Sequence, residues 1–274
     1  MASTLELELD LRARESVAAR WYRAHASTIR GLLSLLVVAL VWEAAGRSGR
    51  WPLVLAPLSD IVARFLQLAS TGELWRHAVV SLNEFVVGFG VAAVFGILLG
   101  VAIASSDAVR DFVDPWVSAV YATPTVALAP LFIFMFGIDA PSKMAVVFLL
   151  AVFPVVINTA TGIRSTDQVF IEAARSFSAS RRQIFTKVLI PSALPFIVAG
   201  LRLGIGRGLV GVVVGEFIGA RAGLGYLIFR SSQAFQIDAM WAGVFLLAGT
   251  GVLAVVILQN VERRMAPWRR FELK

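Results

Sequence analysis

Residues 143–195 read KMAVVFLLAVFPVVINTATGIRSTDQVFIEAARSFSASRRQIFTKVLIPSALP. The stretch opens as an apolar run of about twenty residues, enough for a helix to cross a bilayer. It then turns polar and basic near Arg164, and from about residue 194 it becomes apolar again. A soluble protein has little use for that alternation. A membrane protein needs it, because the polar segment must stay in water while its neighbours stay in lipid.

Working outward, the same apolar signature recurs, and six spans are expected at about 29–46, 78–104, 115–137, 143–163, 194–219 and 241–260. Composition agrees. The 274 residues are 58% hydrophobic and 16% charged, below the roughly 25% charged residues of soluble domains, and the mean hydropathy is +0.79. The expected fold is all-α, a polytopic membrane protein of about six transmembrane helices. It divides into an amino-terminal tail (1–28), a transmembrane domain (29–265) holding a polar loop at 164–192, and a carboxy-terminal tail (266–274). The tail carries Glu6, Glu8, Asp10 and Glu15 with no apolar core, unlike a cleaved secretory signal.

The net charge is +7, yet nucleic acid is not the implied partner, because the basic residues cluster beside apolar runs. With the amino terminus inside, sixteen Arg and Lys fall on inside segments and seven on outside ones. That excess predicts both termini in the cytoplasm and makes 164–192 a cytoplasmic loop. The outside connection 47–77 contains Leu58, Ile61, Val62, Phe65, Leu66 and Ala69 at helical spacing, bracketed by Trp51 and Trp75, which predicts an interfacial helix. Cysteine is absent and the two histidines lie far apart, so no disulfide, thiolate or metal centre is expected.

The loop predicts two short amphipathic helices. The first starts near Ser165 with Gln168 three residues on, and gathers Val169, Phe170, Ala173, Ala174 and Phe177 on one face. The second starts near Ser180 with Gln183 three residues on, carries Ile184, Phe185, Val188 and Leu189 on its apolar face, and is expected to close at Pro191. Two readings fit: a hairpin lying on the membrane surface, or a helix that docks in a groove of a soluble partner.

The stretch resembles the EAA loop of ABC-importer permeases, Glu-Ala-Ala, three residues, Gly, nine residues, Ile, any residue, Leu-Pro. Glu172, Ala173, Ala174 and Pro191 match, Val188 and Ile190 are conservative replacements, and Ser178 stands at the glycine. Glycine there permits a left-handed turn, and serine adds about 1 kcal/mol, so a differently shaped turn is expected. Segments 123–139, 153–165 and 201–228 are similar to the nitrate/sulfonate/taurine branch, and the likeness covers roughly residues 50–265. The resemblance implies a coupling loop in which Glu172, Ala173, Ala174, Arg175, Ser178 and Pro191 engage a cytoplasmic ATPase. It also implies two ATPase subunits binding ATP and Mg, a second permease chain making a homodimer, and an extracytoplasmic solute-binding protein. This chain would hold no cofactor and no catalytic residue. The solute would be a small anion such as a sulfonate, taurine or nitrate, or alternatively a vitamin precursor or aromatic acid.

No phosphate-cradling G-x-x-x-x-G-K-[ST] run is present. Gly206–Gly211 fits G-x-G-x-x-G but lies inside a span with no strand before it. The four-residue spacing of Gly96/Gly100, Gly200/Gly204/Gly208 and Gly211/Gly215/Gly219 instead predicts close helix packing. Ionisable residues within spans are costly and mark function by default. The translocation path is expected to involve Arg207, Glu216, Glu84, Pro124 and Pro130, with Arg207 either lining an anion path or held in a structural pair with Glu84 or Glu216. Arg207 and Glu216 are about 13 Å apart along one helix and do not reach each other there. Pro124 and Pro130 are expected to break the third span, either freeing carbonyls toward a cavity or forming a packed kink; Tyr121, Phe132 and Phe136 read as packing. An ion-gradient-driven transporter is the competing class, predicting repeated halves and midspan carboxylates.

Overall fold

The computed structural model describes residues 17–265, side chains from residue 25 to 264; most of the two expected tails lies outside them. The chain divides into two units, residues 1–62 and 63–274. Among the described residues all regular structure is helical.

The first unit carries α1 (Val17–Arg47), which begins twelve residues before the expected span. Its flank is apolar and uncovered: Leu32, Leu35, Leu40 and Val41 are exposed, as lipid or another helix would require. Its carboxy end is tied to the start of α2 (Leu58–Ser70). The Glu43 carboxylate accepts from the backbone N–H of Ser59 at 3.0 Å and from its hydroxyl at 2.9 Å, while Arg47 holds the same carboxylate at 2.6 Å. A carboxylate at a helix amino end meets unpaired amides and the positive end of the helix dipole. Trp42 Nε1 donates to the carbonyl of Ala56 at 3.1 Å. The helix α2 runs on into the second unit and covers the stretch whose spacing predicted a helix. Trp51 and Trp75, on either side of it, are both exposed.

The second unit continues with α3 (Glu73–Ser105), α4 (Asp107–Ala122), a 3₁₀ turn (Thr125–Leu128), α5 (Ala129–Phe136) and α6 (Ala140–Arg164). It ends with α7 (Gln168–Ser176), α8 (Arg181–Ile184), a π turn (Phe185–Leu189), α9 (Ile190–Gly219), α10 (Leu224–Gln233) and α11 (Ile237–Met265). Five helical stretches of the described chain are long and apolar enough to cross a membrane. The α4–α5 pair, bent by 89°, makes up to six.

The buried centre is α6, and glycine stripes bring two helices against it. On α3, Gly88, Ala92, Gly96 and Gly100 are all buried. A Cβ on Gly100 would stand 2.7 Å from Thr159 Cβ, and one on Gly96 2.9 Å from Val155 Cβ. On α9, Gly200 sits against Asn158 and Pro154, and Gly211 against Val147. The small-residue spacing in the sequence therefore acts in backbone approach. The core around it is Ala151, Val152 and Val156 with Ala92 on one side, and Val147 with Phe85, Ile205 and Val212 on the other.

Two expectations are corrected and one element is new. The third span bends at Thr123–Pro124 as expected, but Pro130 does not break it: it sits in the first turn of α5, where its missing N–H is harmless. The short helix α10 was not anticipated, because ten amphipathic residues carrying Arg230 give no span signal. Pro191 does not close the second loop helix. Helix runs on from Arg181 to Gly219, because a π turn precedes the proline. Ile190 N–H reaches back to the carbonyl of Phe185, and that one-residue shift in register accommodates a residue with no donor.

Candidate functional site

Two features of the second unit carry chemistry, at the two ends of the continuous 181–219 helix.

At its amino end lies the 165–180 hairpin. Asp167, not Ser165, caps α7, its side chain accepting from Val169 N at 2.9 Å. Ser165 is unavailable because it ends α6, its N–H bonding to Thr161 O at 2.9 Å. Ser180 caps α8 as anticipated, with both arms of the capping box formed to Gln183. Between them Ser178 adopts φ 57°. Its N–H bonds to Arg175 O at 2.8 Å, and that of Ala179 bonds to Ala174 O at 3.1 Å. This pair is the Schellman closure that glycine ordinarily makes, so serine bears the left-handed strain rather than reshaping the turn. Glu172, Ala173, Arg175 and Ser178 are exposed. So is the apolar side of α7: Val169 is 65% exposed, Phe170 59% and Phe177 87%. Among the described residues nothing covers Val169, Phe170 or Phe177 on this face.

At the other end is a buried polar clasp. Glu216 of α9 is 1% exposed and accepts three hydrogen bonds: from Ser81 Oγ at 2.5 Å, Gly225 N at 2.5 Å and Tyr226 N at 3.3 Å. Ser81 Oγ accepts from Leu224 N at 2.7 Å, and His77 Nδ1 from Gly223 N at 3.0 Å. Four successive amides at the start of α10 are thereby paired with side chains of α3 and α9. Gly223, at φ 122°, leaves no room for a Cβ against the Glu216 carboxylate. Arg230 closes the outer edge on Glu73 at 2.9 Å. Glu84 of α3 is buried beside Glu216, and Lys143 of α6 is buried too, its ammonium donating to the carbonyls of Ile138 and Asp139. Sequence reasoning singled out Glu84 and Glu216 as path residues. The structure brings them together but buries both among α3, α6, α9 and α10, off the open face. Their partners Ser81, His77 and Gly223–Tyr226 were missed; only the glycines at 223 and 225 hinted at a close approach.

Arg207 lies between these ends, exposed on α9. Neither carboxylate reaches it. Its guanidinium carbon stands 5.7 Å from the Tyr121 ring centroid, a cation–π distance. Tyr121 belongs to the last turn of α4, just before the Pro124 bend, and borders a cavity of about 650 Å³ between α4 and α6.

The comparisons with known proteins agree with this arrangement. The family described as binding-protein-dependent transport system inner membrane component matches residues 92–267. The aliphatic sulfonates transport permease protein SsuC of Bacillus subtilis (strain 168) is 34% identical over 256 residues, 93% of each chain. The taurine transport system permease protein TauC of Escherichia coli (strain K12) is 32% identical over 91% of this chain and 92% of its own. The formylaminopyrimidine transport permease protein ThiX of Halalkalibacterium halodurans is 33% identical over 87% of this chain and 95% of its own. Among solved structures, a chain of the inward-facing MetNI methionine ABC transporter superimposes with a TM-score of 0.59, at 21% identity, over 71% of this chain and 94% of that one. It shares the fold.

Proposed function

Because this chain belongs to the family of binding-protein-dependent inner-membrane permeases of ABC importers, we propose that its hairpin at 164–192 is the cytoplasmic coupling loop through which ATPase subunits drive the spans. The chain is the non-catalytic membrane subunit, and ATP hydrolysis resides in a separate one. ATP and Mg bind there, on two copies that face two copies of this permease, with both termini in the cytoplasm.

The observation that carries the reading is mechanical. The exposed hairpin, with its uncovered α7 face, is joined to an unbroken helix from Arg181 to Gly219. From Arg181 to Arg207 that helix spans about 39 Å at 1.5 Å per residue. A displacement at the Ser178 turn is thus delivered to midspan without an intervening hinge. Docking of α7 in a groove of the ATPase fits the helix-in-groove mode: Glu172 and Arg175 supply polar contacts, Ala173 and Ala174 supply closeness, and Phe170 and Phe177 fill pockets. When the ATPases close, α7 moves and α9 tilts against α6 along the glycine stripe.

The solute is a small anion of the alkanesulfonate or taurine kind, delivered by a solute-binding protein. Two relatives named for such solutes align with more than nine-tenths of the chain, and Arg207, exposed on α9 and without an ion pair among the described residues, supplies a positive charge. Arg207 belongs to the path, and the bend at Pro124, followed by Pro130 in the next turn, shapes its wall. The relative named for formylaminopyrimidine supports a second, uncharged class. The test is reconstitution with the ATPase and binding protein. Glu172→Ala and Ala174→Trp are expected to abolish ATP-dependent taurine or ethanesulfonate uptake while the permease remains folded in the membrane. Uptake at full rate in either variant overturns the coupling role.

A further inference from the structure

The cavity is lined by Val117, Ser118 and Tyr121 of α4 and by Ile157, Thr161 and Arg164 of α6. At about 650 Å³ it falls within the range of small-molecule sites. From Val156 to Ser165 it extends about 13 Å along α6, ending where Arg164 occupies the last helical turn. Arg207 of α9 is not itself a lining residue; it adjoins the cavity through Tyr121, whose ring lies 5.7 Å from its guanidinium carbon.

Three observations converge on a ligand. An arginine in midspan that faces lipid is costly, roughly 2.5–3.5 kcal/mol or more; among the described residues Arg207 has no ion pair, and its contact is a neutral ring. Stacking fixes the guanidinium without cancelling its charge. Arg164 likewise has no ion pair among the described residues, although Asp114 borders the same cavity. Lastly, the lining is mixed: aromatic and aliphatic side chains stand beside hydroxyls and a guanidinium, a combination that suits an amphiphilic ion. An inorganic anion would gain nothing from Val117, Tyr121 and Ile157.

We infer that this cavity is a transit site for a small organic anion, whose charged head passes from Arg207 to Arg164 while its carbon chain lies against Tyr121, Val117 and Ile157. This rests on the reading of the chain as an importer permease and names the chemistry of its path. Tyr121 acts as a positioning residue for Arg207, and Asp114 lowers the positive potential near Arg164, so the ion is not held too firmly to leave.

The chain has no cysteine, so Ser118→Cys places a single thiol in the cavity. In inside-out membrane vesicles containing the whole transporter, that thiol is titrated with three methanethiosulfonates: neutral methyl, anionic sulfonatoethyl and cationic trimethylammonioethyl. The anionic-to-cationic rate ratio, corrected for a free thiol, is expected to exceed one. Adding Arg207→Gln is expected to reduce it about tenfold, the scale of one unit charge at this range in a protein interior, with the neutral rate unchanged. Arg207→Lys retains the ratio, Arg164→Gln lowers it independently from another helix, and Asp114→Asn raises it. Millimolar propanesulfonate is expected to slow the neutral reagent more than sodium sulfate does. A ratio indifferent to both arginines overturns the anion site, and equal protection by sulfate overturns its amphiphilic character. A thiol that even the neutral reagent does not reach overturns the cavity as an aqueous transit site, whereas uptake that persists without the ATPase would overturn the importer reading beneath it.

Discussion

The two ends of the 181–219 helix are built to opposite rules. At Glu216 every neighbouring amide has a partner, the carboxylate is buried, and glycine at 223 and 225 lets backbone close onto it. At Ser178 the turn is strained, its flanking apolar residues are uncovered, and Glu172 and Arg175 face outward. Buried polar groups held by specific partners favour one arrangement, although His77 Nε2 and Glu84 Oε2 have no hydrogen-bond partner among the described residues. Exposed apolar surface beside a rigid capped turn marks a surface meant for another molecule. One end therefore fixes the chain to itself, and the other offers it to a partner. If so, substitutions at the clasp should change stability, and substitutions at the hairpin should change coupling.

The largest effect belongs to Glu216. Replacing it with Ala leaves Ser81, Gly225 N–H and Tyr226 N–H buried without an acceptor. Each such group costs about 1–3 kcal/mol, and three are affected together. Glu216→Ala is expected to fall by at least 3 kcal/mol in chemical denaturation in detergent, with poor membrane yield. A variant as stable as the parent would show that the clasp does not hold α10. Next comes Gly223→Ala. It adds a Cβ against the Glu216 carboxylate at a φ of 122° and is expected to cost about 1–3 kcal/mol by crowding and strain. The measurement is the same denaturation curve, and the loss should be smaller in the Glu216→Ala background, because the two share a contact.

These two predictions mark where the sequence stops being readable. Spans, glycine stripes and the hairpin are periodic, local signals, and they led to the right helices. The Ser180–Gln183 box is a three-residue rule and formed as such. The clasp is not local: Ser81 and Glu216 are 135 residues apart, and no period connects a serine on one span with amides after another. Glu84 and Glu216 were recognisable as anomalous carboxylates, but which way each faces depends on the rotation of α3 and α9 against α6, and the glycine contacts settle that only in three dimensions. Pro191 was misread for a similar reason. A proline predicts a stop when the helix is assumed to be α throughout, and the π turn at Phe185–Leu189 has no sequence signature of its own. Ser165 lost its capping role because α6 extends to Arg164 and claims it.

A smaller effect sharpens the comparison at the hairpin. Ser178 holds φ 57° without glycine's freedom. Ser178→Gly removes left-handed strain and is expected to stabilise the turn by up to about 1 kcal/mol, offset by the greater backbone entropy of glycine in the unfolded chain. Local amide exchange at Ala179 and Ser180 is the sensitive readout, since the gain is confined to the turn. Faster exchange in the glycine variant would mean that serine makes a stabilising contact there.

The smallest change in stability is expected at Phe177, and it is the one that separates the two ends most sharply. Its ring is 87% exposed, so Phe177→Ser removes almost no buried apolar surface and should alter stability by less than about 0.5 kcal/mol, the usual range for surface positions. Against a partner the account differs, because a Phe ring buried in a groove contributes about 1.5–3 kcal/mol, equivalent to a loss of ten- to more than a hundredfold in affinity. Co-purification of the ATPase subunit should therefore fall steeply while the permease melts as before. If Phe177→Ser destabilised the isolated chain, the ring would be packed against this protein or its lipid, and the hairpin would belong with the clasp rather than with the ATPase. Unchanged melting with unchanged ATPase retention would confine the contact to Glu172, Arg175 and the small residues between them, leaving α7 docked by its polar edge alone.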